Sequence, residues 1–265
     1  MHQGIGYQFN HAIVRRPGES VAGGIRDGAG PDPEPARFYA EHDDYLEALV
    51  ESGLSVICLP ALEEFPDSVF VEDPALCLPR GAVLLRARAA SRRGEVAEIA
   101  PLLSTHFADL RRIEGPGWLD GGDILVTDRE VIVGRSARSD DAGYAELAAI
   151  LDEWGYAARL VDTPPDVLHL KTACSALSGD LLLCTPVLAD SGIFDGYRQV
   201  LTAPGEEAAA NAVRINDRLL FSIGFPATQR RVRAALPGVE LVALRTAQAA
   251  RVDGGLSCMS LRFAL

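Results

Sequence analysis

Apolar residues in this chain gather into short runs that come in pairs. A longer stretch with helical spacing follows most pairs, and then one more short run. Residues 69–86 read as two β segments broken at Pro74 and Pro79. Residues 123–135 read as a hairpin, with Ile-Leu-Val and Val-Ile-Val flanking a polar turn. Residues 168–186 turn at Ser178-Gly179-Asp180, and residues 210–223 turn at Asn216-Asp217-Arg218. Residues 256–263 read as a lone strand. Helical spacing covers 95–107, 140–154 (with Tyr144, Leu147, Ile150 and Leu151 on one face), a short segment near 193–200, and 227–236, which Pro226 opens. The helices lead into short strands at 109–113, 158–161, 200–203 and 239–244.

The pairs begin near positions 69, 123, 168, 210 and 256, a spacing of 54, 45, 42 and 46 residues. Such a period signals a propeller or array. The expected fold is therefore an α/β, five-bladed propeller of strand–strand–helix–strand repeats, forming one domain over residues 1–265. The unit that begins at Leu256 is completed by the N-terminal segment: a strand at 10–15, a helix at Pro35–Glu51 and a strand at 54–59. Closure by both terminal segments leaves no orphan edge strand.

Conspicuous polar residues fall just before or at the first strand of each unit: Asp67, Glu72 and Asp73; Asp120 before Gly121-Gly122; His169; Asn211; and Cys258 after Gly254-Gly255. Each has a structural reading when taken alone. The aspartates can shape turns, His169 can be a hydrogen-bonded core residue, and Cys258 can be a buried, inert thiol. Arg92-Arg93 can be a solvated loop, and Arg138 can sit at a helix start. Their shared place in the repeat argues instead that they converge on one central pocket.

Composition narrows the options. With 37 acidic against 25 basic residues the net charge is −12, which argues against a nucleic-acid partner and favours a small cationic one. No apolar stretch approaches the roughly 20 residues of a membrane span, and no signal peptide is visible near Met1. Five cysteines without a CxxC pair read as reduced thiols of a cytoplasmic protein. No metal is expected, since one histidine among scattered aspartates lacks ligand spacing. No cofactor is expected either: the glycines between 23 and 30 form neither a dinucleotide fingerprint nor a phosphate loop. Oligomeric state is left open, with a homodimer as one option.

Three motifs carry a resemblance: Phe65-Pro66-Asp67-Ser68-Val69-Phe70-Val71-Glu72-Asp73, Leu168-His169-Leu170-Lys171-Thr172, and residues 253–263 around Cys258. In order and character they closely resemble dimethylarginine dimethylaminohydrolases, members of the guanidino-group-modifying superfamily built on a five-bladed α/β propeller. The resemblance implies Cys258 as nucleophile, His169 as general acid/base, and Asp120 as the acidic residue that steers the histidine and contacts the guanidinium. Glu114, before the Gly115-Pro116-Gly117 turn, is not that residue. Asp73 is implied as a second guanidinium carboxylate, with Asp67 and Glu72 in the substrate-binding run. Arg92 and Arg138 are implied at the substrate carboxylate, with Arg93 able to stand in for Arg92. Ile25 and Val252 are implied as backbone contacts. The Gly- and Pro-rich segment 18–33 departs from the pattern and is a candidate lid.

The implied reaction is hydrolysis of asymmetric dimethylarginine to citrulline and dimethylamine through a covalent thiouronium on Cys258. Paired carboxylates suit a planar guanidinium, and its charge helps to ionise a thiol that nearby acids keep protonated. Arginine deiminase or citrulline-cleaving activity would use the same groups. An amidinotransferase fits less well because it needs an amine acceptor. A non-catalytic propeller, as in ribosome anti-association factors, would not need a nucleophilic cysteine.

Overall fold

Five three-stranded sheets make up the computed structural model, which describes residues 3–28 and 30–265. The chain enters through β1 (His11–Arg15), α1 (Pro35–Glu51) and β2 (Ser55–Leu59). Four full repeats follow. The first is β3 (Ala75–Leu78), β4 (Gly81–Leu84), α2 (Glu95–His106) and β5 (Leu110–Arg112). The second is β6 (Ile124–Val126), β7 (Val131–Arg135), α3 (Asp141–Glu153) and β8 (Ala158–Asp162). The third is β9 (Cys174–Ala176), β10 (Leu181–Cys184), α4 (Pro186–Asp190) and β11 (Arg198–Leu201). The fourth is β12 (Val213–Ile215), β13 (Arg218–Ser222), α5 (Pro226–Ala235) and β14 (Glu240–Leu244). A short α6 (Ala247–Ala250) leads to β15 (Leu261–Phe263), which pairs antiparallel with β1 and closes the first sheet. In every sheet the middle strand runs antiparallel to the first strand of the unit and parallel to the last. The fold is the expected five-bladed α/β propeller.

The middle strands explain the continuous apolar runs. Successive side chains of a strand point to opposite faces, and here both faces are covered. On β1, Ala12 and Val14 join one core cluster while Ile13 joins the next. On β10, Leu182 and Cys184 face one side, Leu181 and Leu183 the other. On β13, Leu220 is separated in the same way from Leu219 and Phe221. The core is thus a ring of five clusters, each lying between neighbouring blades. Among the described residues no helix is long and apolar enough to cross a membrane.

Three local expectations are corrected. The helix expected near 193–200 lies earlier, at Pro186–Asp190. Proline opens it, and glycines 192 and 196, with φ of 74° and 87°, turn the chain before β11 begins at Arg198 rather than near 200. Residues 69–73 form turns, not a strand: the Phe70 N–H donates to Asp67 O (2.9 Å), and Arg92 takes the Phe70 carbonyl (3.0 Å). Only Leu261–Phe263 of the last segment is strand, because Arg262 folds the preceding loop back by donating to the Ser257 and Ser260 carbonyls at 3.0 and 2.7 Å.

Candidate active site

The loops before the inner strands carry the site. Asp120 and His169 each stand in extended backbone immediately before a single 3-10 turn, Gly121–Asp123 and Leu170–Thr172. Asp73 precedes β3, Asn211 precedes β12 and Cys258 precedes β15. A small cavity is lined by Cys258, His169, Asp73, Asp67, Arg92, Arg138, Ile25 and Val252. Phe70, Leu168, Asp253 and Gly254 complete its wall.

Two expected residues lie elsewhere. Asp120 is fully buried behind the imidazole, with Oδ2 3.3 Å from His169 Nε2 and Oδ1 without a partner among the described residues. It reaches the cavity through the histidine and is not part of its wall. Glu72 points to the far side, into a chamber along the propeller axis. There Oε1 meets Lys171 Nζ (2.6 Å) and Arg262 Nη2 (2.8 Å), while the Glu72 N–H donates to Cys258 O (3.2 Å). Glu72 therefore ties the Cys258 loop to the His169 loop from behind.

The arginines differ. Arg92 is buried and held by both oxygens of Glu95 (2.9 and 2.7 Å), by Asp73 and by the Phe70 carbonyl. Arg93 stacks over Trp118 instead and does not line the cavity. Arg138 lines the cavity with no carboxylate in ion-pair range among the described residues. Ile25 offers its N–H to Asp67 Oδ1 (2.9 Å), so the chain is docked on the site at this residue.

Gly122 shows how tightly the carboxylates and imidazole are packed. Its N–H donates to Asp73 Oδ1 (2.8 Å), and a Cβ there would stand 2.8 Å from the His169 ring. Only glycine fits between the two groups.

Charge balance sets the protonation states. Burial opposes the His169 imidazolium, yet the Asp120 hydrogen bond and the Asp123 and Asp73 charges outweigh it and raise the pKa to about 9. Burial likewise opposes the Asp73 carboxylate, but Arg92, His169 and the Gly122 N–H lower it to about 2. Burial, then Glu72 and Asp73, push the Cys258 thiol up to about 11, against the Gly255 N–H and Lys171. At neutral pH the resting pair is imidazolium and thiol.

Sequence reasoning missed Asp123, Glu95 and Lys171. Asp123 is fully buried and accepts from Ser136 Oγ (2.6 Å), Ser139 Oγ (2.7 Å) and the Leu170 N–H (2.9 Å). Ser139 Oγ in turn accepts the Asp120 N–H (3.1 Å), so Asp123 braces Asp120 and His169 together. The Asp120-Gly-Gly-Asp123 spacing was a signal for it, as was the i,i+3 spacing of Arg92 and Glu95.

This propeller, with thiol and imidazole opening on one carboxylate-walled cavity, defines a class: the guanidino-modifying enzymes. A family model described as Arginine deiminase matches residues 59–220. An N(G),N(G)-dimethylarginine dimethylaminohydrolase of Pseudomonas aeruginosa is 35% identical over 257 residues, covering 96% of this chain and 100% of its own. The chain belongs to the dimethylarginine dimethylaminohydrolase family within the guanidino-modifying superfamily. A Streptomyces coelicolor member is 31% identical over 254 residues, 95% of this chain and 96% of its own. The structure of a cysteine-to-serine variant of the Pseudomonas aeruginosa enzyme, complexed with citrulline, superposes with a TM-score of 0.92 at 34% identity, over 97% of this chain and 100% of that one.

Proposed function

We propose that this chain is a single catalytic domain that hydrolyses Nω-methylated arginine, asymmetric dimethylarginine first, to citrulline and dimethylamine. The observation that carries the reading is that Cys258 and His169 open on the same cavity as Asp67, Asp73 and the unpaired Arg138. The carboxylates suit a guanidinium, Arg138 suits an amino-acid carboxylate, and Phe70 and Leu168 supply apolar wall for methyl groups. The resemblance and the citrulline held by the Pseudomonas aeruginosa relative point the same way.

In this reading the bound cation helps to ionise Cys258, whose proton leaves to solvent, and the thiolate adds to the guanidinium carbon. His169, already protonated, gives its proton to the departing dimethylamine as the C–N bond breaks, leaving an S-alkylthiouronium. The neutral imidazole then takes a proton from water, which adds to the same carbon, and collapse returns the thiol and releases citrulline. Positioned proton transfer of this kind contributes about 10²–10⁴-fold. Asp120 and Asp73 hold charge in place for these steps. A reduced, cytoplasmic setting suits the free thiol.

Arginine deimination is the second reading, favoured by the matching family model. Parallel assays on dimethylarginine, monomethylarginine, arginine and citrulline separate the two. Cys258→Ser should abolish turnover while retaining calorimetric binding of the methylated substrate. Turnover at the wild-type rate in that variant would remove the thiol from the mechanism.

A further inference from the structure

Asn211 stands at the blade position that elsewhere carries Asp73, Asp120, His169 and Cys258, yet it is buried and does not line the cavity. Its amide is committed to two other loops. Oδ1 accepts the Ser257 N–H at 2.9 Å, and Nδ2 donates to Lys171 O at 3.4 Å. Ser257 precedes the nucleophile by one residue, and Lys171 follows the imidazole by two. The same side chain fills the space beside Gly255, where a Cβ would meet Asn211 Cγ at 2.6 Å and its two terminal atoms at 2.8 Å. Burial leads the causes that raise the Cys258 pKa, and the Gly255 N–H is one of the groups that oppose it.

From these contacts we infer that Asn211 is a positioning residue, which sets the Cys258 sulfur against the His169 ring by bracing both loops on one planar amide and by fixing the path of Gly255. The inference rests on Cys258 and His169 being the reacting pair. The bond pattern needs an amide: one loop presents a donor and the other an acceptor, so a carboxylate can serve only the first. Removing the amide leaves the buried Ser257 N–H without its acceptor and frees the nucleophile loop to shift, and displacements of that size cost reacting groups their alignment. Glycine at 255 follows from the same contact, since any side chain there displaces the amide.

The test compares Asn211→Ala, the isosteric Asn211→Asp and Gly255→Ala with the wild type, each checked for folding by its thermal midpoint. Alkylation of Cys258 by iodoacetamide, followed on the Cys258 peptide by mass spectrometry as a function of pH, needs no substrate. Steady-state hydrolysis of dimethylarginine gives kcat and KM. All three variants should shift the alkylation profile upward by about one pH unit, since thiolate-stabilising contacts move thiol pKa values by this much or more. They should also lower kcat at least tenfold, with KM within about threefold, the pattern of a lost transition-state alignment. A wild-type alkylation profile in any folded variant overturns the inference, as does a rise in KM at unchanged kcat. Should the wild-type protein leave dimethylarginine untouched, the functional reading alone falls, and the alkylation profiles still decide the role of Asn211.

Discussion

Asp120→Asn isolates what holds the proton on His169. The imidazole stands at about 9 against an ordinary 6.5, although burial pulls the other way. At about 1.36 kcal/mol per unit, that shift represents roughly 3 kcal/mol of differential stabilisation of the imidazolium. The Asp120 carboxylate, 3.3 Å from Nε2, is the one group among the described residues that hydrogen-bonds the ring directly; Asp123 and Asp73 act through their charge. A hydrogen bond to a charged group is worth about 1.5–3 kcal/mol, so the isosteric amide should lower the His169 pKa by about one to two units, to about 7–8. Histidine Cε1–H NMR titration reads this directly, with the His169 signal identified by its loss in His169→Gln. The pH–rate profile should follow, its basic limb moving down by the same amount as the acid for the departing amine disappears. Activity below that limb should fall about 10²-fold or more, because the amide also supplies no charge for a bound cation. If His169 in the variant titrates within half a unit of the wild type, Asp123 and Asp73 hold the proton, and the assignment of Asp120 as the histidine's partner is wrong.

Arg138→Ala should raise KM about tenfold with kcat nearly unchanged, since an unpaired guanidinium at the cavity supplies uniform binding; an equal loss in kcat would place it at the reacting centre. Asp123→Asn should lower both kcat and the urea-derived stability, by about 1–3 kcal/mol, because one of three buried hydrogen bonds loses its acceptor; full activity would show that the bracing of Asp120 and His169 is dispensable. Stability should peak near pH 6.5: burial, then the Arg16 charge, depress His42 to about 4, so its contribution is complete above 6.5 and lost as pH falls towards 4, whereas the raised His169 contributes fully below 6.5 and loses that contribution as pH rises through 9. Urea midpoints across pH 4–10 check this, and a stability maximum at pH 8 or above would contradict it.

What the sequence made legible was whatever depends on strict periodicity. Pro35–Glu51 comes out with the bounds read from its pattern, and the middle strands announce themselves as unbroken apolar runs because both faces are covered. The misreadings arise where side chains override propensity. Residues 69–73 have strand-like composition, but Arg92 takes the Phe70 carbonyl together with that of Asp67. Residues 193–197 have helical spacing, but Gly192 and Gly196 turn the chain. Glu72 and Asp73 are neighbours in one motif, yet they face opposite sides, one into the axial chamber and one into the cavity. Adjacency in a motif says that both are near the site without saying which face each serves. Asp123 was missed although the Asp120-Gly-Gly-Asp123 spacing signals it, and Asn211, expected to converge on the pocket, instead works on backbone groups of two distant loops, which nothing in a linear pattern marks.

The charge arrangement bears on which ligand the proposed chemistry can accept. Burial, then Glu72 and Asp73, raise the thiol, and the Gly255 N–H and Lys171 only partly offset them, so a thiol at about 11 is nearly silent at neutral pH. A unit positive charge about 4 Å from the sulfur, at the effective dielectric typical of such sites, is worth about 4 kcal/mol, or roughly three pKa units. That brings the thiol to about 8 only while a cation is bound. A neutral ligand of the same shape, such as a ureido product, leaves the sulfur protonated. On the proposed reading, the burial and acidic surroundings that weaken the free nucleophile are therefore what make the reaction selective for guanidinium over urea.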